Sequence, residues 1–188
     1  MCCGTKRLVE IRCPATCGYL SAARDHPASV VRRQQERDVA RLLPTLQRLT
    51  ERQHQLFFLI HSVIARHSPD GFVRLIDNDV ADAAGALAAT LETAERGVIY
   101  EQAPASPPAQ SLVAAIKGVL AKLREQRVPV YDGEVAIVLR AIEQGARDVR
   151  TPDEGERAYL DLVARLVDAA SSQGAPDESS PAPSLILP

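Results

Sequence analysis

The feature that most constrains this chain is the spacing of its apolar residues. Between residues 28 and 68, Val39, Leu42, Leu46, Leu49, Phe57, Ile60 and Ile64 recur at intervals of three, four or multiples of these. That interval returns side chains to one face of an α-helix. The pattern resumes through Val80, Ala84, Leu87, Leu91 and Ala94, then Leu112, Ile116, Val119 and Leu123. It continues through Val135, Val138, Leu139 and Ile142, and ends with Tyr159, Leu162, Val163 and Leu166. Helices carrying such stripes must bury them against one another, so the expected fold is all-α, a helical bundle of about five or six helices. Aromatic residues are only 4% of the chain and Trp is absent, which argues against a sandwich or barrel.

Turn and cap residues divide the pattern. Pro44 predicts a kink, or two helices meeting, inside the segment 28–68. Ser68-Pro69-Asp70-Gly71 reads as a turn, Asp77 or Asn78 as a helix start and Gly97 as a C-terminal cap. Ser106 followed by Pro107 opens a helix that the Val128-Pro129-Val130 segment ends. Asp132 or Gly133 starts another, expected to break near Gly145, and Thr151-Pro152-Asp153-Glu154 has the form of a capping box for the last helix. Ser171 onward is rich in Ser, Pro and Ala and reads as a disordered tail, although Leu185-Ile186-Leu187 gives it one apolar cluster. The expected organisation is a Cys-rich segment over residues 1–26, a helical domain over 27–170 and a tail over 171–188.

With 188 residues, 46% of them apolar and 24% charged, the chain can bury one sizeable core. No uninterrupted apolar run exceeds five residues, as at 56–60, so no membrane span is expected. Met1-Cys2-Cys3-Gly4 lacks the form of a secretory leader, which makes a cytoplasmic location the expectation. Nineteen arginines against three lysines, with abundant Ala, match the coding bias of a GC-rich bacterial genome. Residues 1–52 carry ten basic and five acidic side chains, net +5, and the whole chain is −2, leaving −7 for the remainder.

All four cysteines, Cys2, Cys3, Cys13 and Cys17, fall in the first 17 residues. In a reducing compartment structural disulfides are disfavoured, so metal binding leads over reduced thiols or a redox role. Cys13-x3-Cys17 is one half of a zinc site; one of the adjacent Cys2 and Cys3, with His26, would complete a Cys3His set. Cys2-Cys3-Gly4-Thr5-Lys6-Arg7 followed by Cys13-Pro14-Ala15-Thr16-Cys17 resembles treble-clef or knuckle-like zinc modules at the head of uncharacterised bacterial proteins. That resemblance covers about the first 20 residues and implies a structural zinc, without an activity.

Glu51-x-x-His54, with His61 one heptad later, has the spacing di-iron bundles use twice. A second Glu-x-x-His is missing, and Glu92 and Glu95 could substitute only in an unusual site. These histidines are therefore expected to pack beside Phe57 and Phe58 or to face solvent. The sequence has neither a Gly-rich phosphate loop nor a Gly-x-Ser-x-Gly elbow. The leading expectation is a non-enzymatic, zinc-binding adaptor or regulatory protein whose apolar grooves hold a protein partner or a second copy. The alternatives are nucleic-acid binding through the basic N-terminal segment and a ferritin-like metal enzyme.

Overall fold

A computed structural model of the chain describes residues 29–69, 73–95, 97, 101–149 and 155–173. Every regular element among them is a helix: α1 (Ser29–Leu46), α2 (Glu51–Arg66), α3 (Asp77–Glu95), α4 (Pro107–Glu125), α5 (Asp132–Asp148) and α6 (Ala158–Gln173). Two compact units divide the chain, Met1–Leu43 and Pro44–Pro188. In the first, α1 presents Arg33, Arg37 and Arg41 to solvent at four-residue intervals.

The second unit is the helical body. Its core is built from the expected stripes: Phe57, Ile60 and Ile64 of α2, Val80, Ala84 and Leu87 of α3, Leu112 and Ile116 of α4, Val135, Leu139 and Ile142 of α5, and Leu162 and Val163 of α6. Helices α2 and α3 each contact α4, α5 and α6, and the most extensive pairing joins α3 to α5. Small residues permit that close approach, since Ala81, Ala83, Ala84 and Ala88 of α3 are all buried.

Three boundaries differ from expectation. Helix α1 continues two residues past Pro44, and the break comes between Leu46 and Glu51, where Thr50 starts α2. The Thr50 hydroxyl accepts from the Gln53 amide, and the Gln53 side chain accepts from the Thr50 amide, a capping box the apolar pattern alone did not expose. Helix α5 runs through Gly145 to Asp148 because that glycine serves packing: a Cβ there would lie 3.1 Å from Cε2 of Tyr159. Helix α6 starts at Ala158, and its leading amides are capped by Asp77 of α3. The Thr151–Glu154 box lies outside the described residues, and α6 extends through Ser171, Ser172 and Gln173 before the remaining tail, which also lies outside them.

Candidate functional site

The five expected zinc ligands, Cys2, Cys3, Cys13, Cys17 and His26, lie outside the described residues. Among the described residues, no group of three or more His, Cys, Asp or Glu is placed to hold a metal ion. The helix carrying Glu51, His54 and His61 does not gather these three side chains at one point. Glu51 is exposed and 3.9 Å from His54 Nδ1, while His54 Nε2 is 2.7 Å from the Leu46 carbonyl. His61 is buried against the core.

His61 is the centre of a buried polar cluster. Its ring packs on Phe57 at a 37° tilt with centroids 4.0 Å apart, one of the two placements expected of it, with Nδ1 2.7 Å from the Phe57 carbonyl. Nε2 is 2.8 Å from the Tyr159 hydroxyl of α6. A carbonyl only accepts, so Nδ1 carries the proton and Nε2 accepts from Tyr159. Burial pushes the His61 pKa down from 6.5 to about 4, against the opposing effect of the Phe57 carbonyl. It also pushes the Tyr159 hydroxyl up, an effect the Asp77 carboxylate reinforces. The pair is thus neutral and holds α2 to α6.

Asp77 reaches the same helix from α3. Its two carboxylate oxygens accept from the amides of Tyr159 and Leu160 at 3.0 and 3.1 Å, and its own amide donates to the Glu156 carbonyl. Burial raises its pKa, and the two amide bonds work against the rise. Two residues on, Asp79 accepts from the Ile76 amide at the start of α3 and from the Ser106 hydroxyl, which in turn caps α4 by accepting from the Ala109 amide. The Asp77-Asn78-Asp79 run therefore serves three helix starts, its own and those of α4 and α6. Sequence spacing shows the capping chemistry but not that two of the recipients are 27 or more residues away.

A third cluster joins α3 and α5. Glu143 is buried, with Arg140 and Arg147 each 2.8 Å from its carboxylate, and Arg140 also grips both oxygens of Glu92. Gly85 makes room for this group: a Cβ there would lie 2.6 Å from Glu143 Oε1. Those two carboxylates raise the Arg140 pKa further. Glu92, weighed above only as a substitute ligand, thus forms an interhelical ion pair.

With these polar groups engaged between helices, the remaining surface features are grooves. One of about 420 Å³ is lined by Leu56 and Leu59 of α2, Leu123 of α4 and the Val128-Pro129-Val130 segment, with Arg52 at its rim. Arg52 is held there by the Pro129 carbonyl at 2.9 Å, the Tyr131 ring at 4.6 Å and Glu134 at 3.3 Å. A second, of about 280 Å³, runs between α2 and α6 beside Phe58, His61 and Arg66. No helix among the described residues is long and apolar enough to cross a membrane. No family model matches the chain, and no significant match was found among curated proteins or solved structures.

Proposed function

We propose that this chain is a non-enzymatic helical adaptor or regulatory protein. In this reading a structural zinc organises its N-terminal cysteines, and the helical body engages an apolar helix of a protein partner. The observation that carries it is the groove between α2, α4 and the 128–130 segment, whose lining is aliphatic apart from Arg52 and Gln55 and includes Val128, 44% exposed. A partner helix with apolar anchors three and four residues apart matches such a surface, and a carboxylate on its flank complements Arg52. The zinc rests on the spacing Cys13-x3-Cys17 and the preceding Cys2 and Cys3.

Two measurements test the reading. Plasma mass spectrometry on protein purified without chelator or a nickel tag is expected to find about one zinc per chain, lost in Cys13→Ser. Partner capture from the source cell is expected to fall at least about tenfold for Val128→Asp, an exposed site where the variant leaves the core intact. A metal-free protein overturns the zinc assignment, and a monomer whose interactions ignore Val128→Asp overturns the adaptor.

One observation favours a second reading, nucleic-acid binding. Arg33, Arg37 and Arg41 form an exposed row on α1 within the segment of net +5. Retention on DNA or RNA that weakens steeply with salt, and weakens again in Arg33→Ala/Arg37→Ala, would favour it over the adaptor.

A further inference from the structure

The groove between α2 and α6 has Phe58, 48% exposed, on one wall and Leu166 and Val167 on the other. Among the described residues, its one charged lining residue is Arg66. The wall formed by α6 leads directly into residues 174–188, the part of the chain that follows Gln173. Within those residues the large apolar side chains are Leu185, Ile186 and Leu187, and the charged ones are Asp177 and Glu178, both acidic.

Reach and charge therefore agree. Leu166 lies seven residues before the end of α6, a return path of roughly 10 Å along the helix. The twelve residues from Gln173 to Leu185 span up to about 40 Å when extended, several times the path required. Asp177 and Glu178 precede the apolar cluster and carry the sign that Arg66 attracts. Tethering also raises the local concentration of this segment above that of any free peptide.

We propose that Leu185-Ile186-Leu187 seats in the groove between α2 and α6 of its own chain, covering Phe58, with Asp177 and Glu178 near Arg66. This docking is independent of the partner groove, which lies on other faces of α2 and α4.

Hydrogen exchange of the full chain, followed by mass spectrometry in dilute solution, tests it. Residues 185–187 are expected to exchange about tenfold more slowly than their intrinsic rates, the ratio for a segment bound in about nine molecules of ten. Phe58→Asp, whose helix content is checked by circular dichroism, is expected to abolish that protection. In Leu185→Asp/Leu187→Asp, which leaves α2 untouched, the Phe57 and Phe58 ring resonances are expected to shift from their positions in the parent chain. Unprotected residues 185–187, protection insensitive to Phe58→Asp, unmoved ring resonances, or protection that grows with protein concentration and so reports a second copy, would each overturn the proposal.

Discussion

At His61, burial decides the chemistry. The ring takes up a proton near pH 4 in the folded chain and near 6.5 when unfolded. Between these values the unfolded chain binds the extra proton, so stability falls as pH drops from 6.5 towards 4, by about 3 kcal/mol in all. Asp77 acts in the opposite direction, because a carboxyl with a raised pKa gains stability as it protonates. Urea unfolding at pH 7 and pH 4.5 is expected to show a smaller loss in His61→Gln than in the parent, and equal losses would refute the assignment. Tyr159→Phe leaves Nε2 of His61 without its donor in a closed core, and is expected to cost about 1–3 kcal/mol at pH 7 by the same measurement. The packing of His61 beside Phe57 was one of two placements the sequence left open. Its bond to Tyr159 was not legible, because the partners are 98 residues apart.

Helix by helix, glycines separate propensity from packing. Gly118 lies inside α4 and a Cβ there meets nothing within 4 Å. Gly118→Ala is therefore expected to stabilise by about 0.5–1 kcal/mol, the backbone entropy glycine loses in a helix. Gly145 in α5 faces a Tyr159 ring that is fully buried and tethered to His61, so the ring has no room to retreat. Gly145→Ala is expected to raise no melting temperature and to cost about 1 kcal/mol or more, overpacking outweighing helix propensity. A stabilising Gly145→Ala would show that α6 shifts easily against α5. The capping of α6 falls at the same scale: Asp77→Ala removes the acceptor for two of its leading amides and is expected to cost about 2 kcal/mol, read from the urea midpoint.

At the scale of the whole molecule, the buried apolar side chains described for the second unit come from α2 to α6 and from Leu75 and Val149 beside them. Removal of zinc from the proposed N-terminal site is therefore expected to leave the main thermal transition within a few degrees of its starting value, followed by far-ultraviolet circular dichroism. A collapse of that transition on chelation would mean that the metal organises the body as well.

The apolar period by itself determined the all-helical class and the stripes that form the core, because a 3.6-residue repeat leaves no other regular way to gather those side chains. Local cap chemistry likewise marked the starts of α3 and α4 through Asp77 and Ser106. The tertiary structure decided how such groups are used beyond their own helix. Asp77 caps α6, Gly145 admits Tyr159, and Gly85 admits Glu143 between two arginines, since each depends on a partner brought near only when distant helices pack. A sequence read in windows carries local period and local capping, whereas the pairing of buried polar groups is set by the interhelical contacts that close around them.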